Sequence, residues 1–153
     1  MEIYEDVDDR YNLNRIYHQR LAMKSSNSRL VAIFSDYSIY IDGKQFVGYI
    51  PCPIYDVPTK ISLVYSQQTA HPSVTFKREA FYEAGQYREE DFPCEDLSLW
   101  LRLSRIGEFT GIPRDLVEYR LWQNSTLIRR RAQAIVKTKE LLSRIQLQRE
   151  LLN

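Results

Sequence analysis

The sequence predicts an α/β domain, and three observations carry that expectation. Leu30–Ile41 is rich in β-branched and aromatic residues, and Asp42-Gly43 turns it into a second such run, Gln45–Ile50, so the pair reads as a β-hairpin. Glu95–Ile106 carries Leu97, Trp100, Leu101 and Leu103 at helical spacing and stops at Gly107. Phe109–Ile112 and Leu116–Leu121 then read as short strands on either side of Pro113. A length of 153 residues suits one domain or a large piece of one. With 44% hydrophobic and 27% charged residues, a packed core is expected and wholesale disorder is not.

The remaining elements follow in order. Met1–Glu5 is strand-like and runs into Asp6-Val7-Asp8-Asp9. Asn12 or Asn14 can cap a helix in which Leu13, Ile16, Tyr17 and Leu21 recur at helical spacing to about Met23, with His18 facing solvent. Lys24–Arg29 is a polar turn before the hairpin. Pro51, Pro53 and Pro58 mark a loop, and Thr59–Ser66 reads as a short helix. Ser73–Phe76 reads as a short strand, and Lys77–Ala84 as a short helix stopped by Gly85. Tyr87–Pro93 is a charged loop. Ser125 can cap a long last helix from Thr126 to about Leu151. The expected division is a body over residues 1–125 and a basic amphipathic helix over 126–153.

Several function classes are disfavoured. No stretch of about 18 apolar residues exists, so no membrane-spanning helix is expected. No secretory leader follows Met1, and Cys52 and Cys94 are too few for a disulfide framework, so reduced thiols in a cytoplasm are expected. His18 and His71 lie far apart with no Cys/His ligand spacing, which argues against zinc. No G-x-S-x-G, P-loop or G-x-G-x-x-G pattern occurs. The net charge of +1 hides an asymmetry: residues 126–153 hold seven Lys/Arg against Glu140 and Glu150, a net of +5, leaving −4 on the body. The eleven tyrosines suit half-wet surfaces and contacts with sugars or partners.

Two carboxylate clusters can carry chemistry. Asp6-x-Asp8-Asp9 offers hard oxygen ligands suited to Mg²⁺ or Mn²⁺ holding a diphosphate. Glu95-Asp96, at a helix start, can supply a general base for a hydroxyl proton. Taken alone, each cluster is better described as acids placed at the positive end of a helix. The basic tail, Arg129-Arg130-Arg131 through Arg149, can dock on the body, lie peripherally on an anionic membrane, pack on a partner or meet nucleic acid.

The order of the motifs adds a resemblance. His71-Pro72-Ser73-Val74-Thr75-Phe76-Lys77-Arg78 leads to Ala84-Gly85-Gln86-Tyr87, and a short acidic loop precedes Glu95-Asp96-Leu97-Ser98-Leu99-Trp100-Leu101-Arg102. Ile112-Pro113, Leu116-Val117-Glu118-Tyr119-Arg120 and Asn124-Ser125 follow. With Asp6-Val7-Asp8-Asp9 and Asn14-Arg15-Ile16 upstream, residues 3–126 resemble the acceptor-side half of a family-2 glycosyltransferase of the GT-A type. The resemblance implies an incomplete mixed sheet with flanking helices, the C-terminal portion of that α/β fold. It implies that Asp6, Asp8 and Asp9 hold Mn²⁺ or Mg²⁺ on a nucleotide-sugar diphosphate, and that Asp96, beside Glu95, deprotonates an acceptor hydroxyl that attacks with inversion. His71 and Tyr87 are then near the acceptor, with Trp100 and Arg102 supporting the site or the core.

The family's opening nucleotide-binding βαβ segment has no counterpart here, and Leu121-Trp122 stand where many members carry a His. The expected partners are a nucleotide-sugar donor, a glycan or lipid-linked acceptor, and either a polypeptide carrying the missing half or a second copy. The expected setting is the cytoplasm, at the inner face of the plasma membrane, in surface polysaccharide or glycolipid synthesis. A non-catalytic interaction module pairing through sheet edges and the final helix is the alternative. Nucleic acid is disfavoured by the acidic body and the lack of a recognition motif.

Overall fold

The computed structural model describes residues 2–3, 8–42, 44–52, 69–122 and 125–150. Asp6 and the 59–66 segment expected to be helical lie outside them. A six-stranded mixed sheet organises the chain. Strands β1 (Glu2–Ile3), β5 (Thr75–Phe76), β3 (Leu30–Ile41), β6 (Glu108–Leu121) and β2 (Arg10–Tyr11) lie in that order, and β4 (Gln45–Ile50) pairs with the far half of β3. β3 and β6 run parallel and the other pairings are antiparallel. The α/β class expected from the sequence holds.

β3 is buried over its first nine residues because it lies between neighbours and under helices on both faces. Near-continuous apolar character is what such a strand requires. β6 is one strand of 14 residues rather than two short ones. Its register against β3 shifts on both sides of Asp36, so that Ser35 faces Ile112 while Asp36 faces Asp115. That irregularity absorbs Pro113, which has no N–H to give to the ladder.

Helix α1 (Arg15–Ser25) covers one sheet face, where Ala22 and Met23 pack on Leu30, Ile33 and Ile112. Helices α2 (Arg78–Glu83) and α3 (Glu95–Ile106) cover the other. The main core forms there from Phe34, Val74, Phe76, Ala80, Leu99, Trp100, Leu103 and Phe109. Trp100 meets Phe34 edge-on at 5.5 Å, and Phe81 stacks on Phe76 at 5.1 Å. Gly107 ends α3 where a side chain would collide with the Arg29 carbonyl oxygen and Val31, so only glycine lets β6 start beside β3.

α1 departs from the expected orientation. Leu13, Ile16, Tyr17 and Leu21 point outward, with exposures of 100%, 47%, 65% and 54%. Arg15 and Gln19 point inward and are buried. Gln19 Nε2 donates to the Ser73 carbonyl at 2.7 Å, and Thr75 Oγ1 donates to Gln19 Oε1 at 2.6 Å. Arg15 Nη2 donates to the Val74 carbonyl at 3.1 Å. Hydrogen bonding thus decides which side faces the sheet. His18 is half-buried rather than solvent-facing, with its ring edge-on to Tyr17. No Asn side chain caps the helix: Asn12 Oδ1 accepts from the Asn14 N–H at 2.9 Å in the preceding turn.

The last helical stretch is two pieces, α4 (Thr126–Arg129) and α5 (Arg131–Glu150), joined at Arg130. Ser125 accepts through its backbone carbonyl from the Ile128 and Arg129 N–H groups, while its buried Oγ makes no hydrogen bond. α5 docks on the body: Leu141 is buried against Cys94 and Leu101, and Ala134 packs beside them. Among the described residues no helix is long and apolar enough to cross a membrane.

Candidate functional site

Glu95 and Asp96 form the first turn of α3, with no side-chain cap ahead of them. Asp96 Oδ1 accepts from the Leu97 N–H at 2.7 Å. A helix N-terminus ordinarily favours the carboxylate form. Burial outweighs that here and raises the Asp96 carboxyl above its ordinary value, while the Leu97 and Asp96 N–H groups pull the other way. Glu95 is raised too, chiefly by burial and further by its neighbour Asp96. Its Oε2 is buried with no hydrogen-bond partner. Two adjacent carboxyls, both raised above their ordinary values, are candidates for general acid–base work.

Three anchors set this turn. The Cys94 N–H donates to the Asp91 carbonyl at 2.8 Å. The Asp91 carboxylate is buried, accepts from Ser98 Oγ on α3, and faces Arg144 of α5 at 4.0 Å. The Cys94 thiol, raised by burial, donates to the Ala134 carbonyl of α5 at 3.4 Å. The acidic loop, α3 and α5 are therefore tied together directly behind Glu95 and Asp96.

The other expected residues fall into three groups. His71 opens the turn between α1 and α3: its Nε2 lies 2.8 Å from the Tyr87 hydroxyl, and its ring meets Trp100 edge-on at 5.8 Å. The structure thus brings His71 and Tyr87 together over α3. Trp100, only 2% exposed, is the floor beneath them and a core residue. Arg102 is a brace: Nε donates to the Ser98 carbonyl at 3.2 Å and Nη1 to that of Ala84, where Gly85 turns the chain with a positive φ of 79°. Burial lowers the Arg102 pKa, and the nearby Arg88 lowers it further.

Beside β2, at an edge of the sheet, Asp8 is exposed, whereas Asp9 Oδ1 accepts from the Arg120 backbone N–H at 2.8 Å. Among the described residues no three His, Cys, Asp or Glu gather as a metal site. Asp6, the remaining member of the acidic motif, lies outside them. Asp8 has its carboxylate in solvent, and Asp9 is committed to holding the turn against β6.

The sequence reading missed a polar seam on the far half of β3. Asp36, 2% exposed, accepts from the Cys52 N–H at 2.8 Å and from the Tyr49 hydroxyl. That bond pushes the Tyr49 phenol up to about 12. The Cys52 thiol donates to the Ile112 carbonyl at 3.3 Å and is raised by burial, with Asp36 adding to the effect. Ser38 donates to Asp115 on β6. An aspartate inside a β-branched run was the available signal, since a buried carboxylate needs partners. Here it fastens the end of β4 to the sheet. No family model matches the chain, and no curated protein matches it.

Proposed function

We propose that the chain is the acceptor-side part of an inverting nucleotide-sugar glycosyltransferase. The observation that carries this reading is the Glu95–Asp96 pair on the first turn of α3, buried enough to raise both carboxyls; Trp100, one turn on from Asp96, meets His71 edge-on, and His71 lies 2.8 Å from the Tyr87 hydroxyl. The order of motifs in the sequence and the mixed α/β sheet support it.

In this reading Asp96 accepts the proton of an acceptor hydroxyl. The freed oxygen forms a bond to the anomeric carbon as the bond from that carbon to the diphosphate breaks, and the electron pair leaves on the diphosphate. One displacement needs one base and inverts the centre. Glu95, adjacent and also reluctant to ionise, keeps a second negative charge away from Asp96. His71 and Tyr87 hydrogen-bond the acceptor; Trp100 and Arg102 are positioning residues. Asp6 and Asp8 would hold Mg²⁺ or Mn²⁺, and Asp9 fixes the turn after Asp8 on β6. When bound, such an ion offsets charge on the leaving diphosphate.

The test is nucleoside-diphosphate release from a panel of nucleotide-sugars, with the chain joined behind a nucleotide-binding half of such a transferase. Asp96→Asn should lower acceptor-dependent release by about 10²–10⁴-fold with the fold intact. Full activity in that variant rejects the reading.

A second reading, a non-catalytic interaction module, is favoured by the outward stripe of α1 and by β4, whose Phe46, Val47 and Tyr49 are exposed at 57%, 52% and 49% on a sheet edge. It expects self-association or partner capture that Leu21→Ser or Val47→Lys abolishes, with Asp96→Asn silent.

A further inference from the structure

We infer that the outward face of α4 and α5 docks on an anionic lipid surface. α5 carries apolar residues on two opposed sides. The inner side, Ala134 and Leu141 with Thr138, packs on Cys94, Leu97 and Leu101 of the body. The outer side shows Ile135 and Val136, with Ile128 two turns earlier on α4; their exposures are 50%, 67% and 51%. Ala132 and Lys139 are exposed at the same helical spacing, three to four residues away. A helix that only covered its own domain would need one apolar side, with polar residues opposite.

The charges name the occupant. Arg129, Arg131 and Lys139 flank the outer apolar residues, are exposed, and form no ion pair among the described residues. Glu140, the one acid between residues 126 and 144, is held by Lys137 at 3.0 Å and by Arg144. The face therefore presents cations with a strip of aliphatic side chains between them. A bilayer of anionic lipid meets both, since the acyl boundary takes Ile and Val and the headgroups take Arg and Lys. A nucleic acid would take the cations and leave Ile135 and Val136 in water. Bilayer docking holds whether or not the carboxylates of α3 transfer sugar.

Flotation of the full chain with lipid vesicles tests this. The chain should rise with vesicles of phosphatidylcholine containing phosphatidylglycerol, and stay behind with phosphatidylcholine alone. Exchanging Arg129, Arg131 and Lys139 for Gln should weaken binding about a hundredfold. Ile135→Ser with Val136→Ser should weaken it while leaving its salt dependence in place. All five positions are exposed, so unchanged thermal transitions show that the variants remain folded. Three results overturn the inference: equal binding to both vesicle types, vesicle binding insensitive to both sets of changes, or no vesicle binding but capture of single-stranded nucleic acid that only the charge variant loses.

Discussion

Helices α1 and α3 flank the same sheet and solve opposite problems. α3 buries Leu99, Trp100 and Leu103 and leaves its acidic pair half-buried on the first turn. α1 buries Arg15 and Gln19 and leaves Leu13, Ile16, Tyr17 and Leu21 outside. α3 is held by apolar area, which is non-directional. α1 is held by directed hydrogen bonds to the Ser73–Thr75 segment, so its orientation is specific even where its apolar residues are not used. The difference separates two kinds of order: a packed floor that carries the candidate chemistry, and a polar brace that aligns the turn bearing His71.

The largest effect should come from the floor. Trp100→Ala removes the ring shared by Phe34, Phe76 and His71 and should cost about 3–5 kcal/mol, read by denaturant unfolding. Gln19→Leu keeps volume but strands the Ser73 carbonyl and the Thr75 hydroxyl, and should cost about 2–4 kcal/mol. A smaller loss than that would make α1 an ordinary packed helix and dissolve the contrast.

Asp96→Asn sharpens the comparison through pH. The folded state raises the Asp96 carboxyl, so it binds that proton more tightly than the unfolded chain does. Its favourable share of stability is present below the unfolded value and is lost as pH rises through the folded one. The asparagine variant should therefore unfold at a higher temperature than the parent near neutral pH, with the gap closing as pH falls toward the ordinary aspartate value. A variant less stable at neutral pH would mean the carboxylate serves structure. The smallest effect belongs to the outer side of α1: Leu21→Ser should change stability by no more than about 0.5 kcal/mol.

Much of this fold was legible in the sequence. β3 and β4 announced themselves by residue type and by Asp42-Gly43, and α3 by its spacing and Gly107. The facing of α1 was not legible, because spacing reports a stripe but not which side meets the sheet; buried partners of Arg15 and Gln19, 54 to 59 residues away, decided it. The continuity of β6 through Pro113 depended on a register shift in its neighbour, which no local pattern encodes. At the candidate site, Glu95 and Asp96 were visible as an acid pair, but their reluctance to ionise comes from burial. Asp91 and Asp36 read as loop and strand residues until their partners, Ser98 and Arg144 for one and Tyr49 and Cys52 for the other, were in place.

The most direct test of the central claim is an NMR titration of the side-chain carboxyl carbons in the parent chain, with Asp96→Asn assigning the Asp96 signal. Asp96 is expected to titrate clearly above the ordinary aspartate range, and Asp96→Asn to move the Glu95 midpoint down. An Asp96 midpoint at or below the ordinary range would contradict the claim, leaving Asp96 as a helix-terminal acid with no tuned basicity.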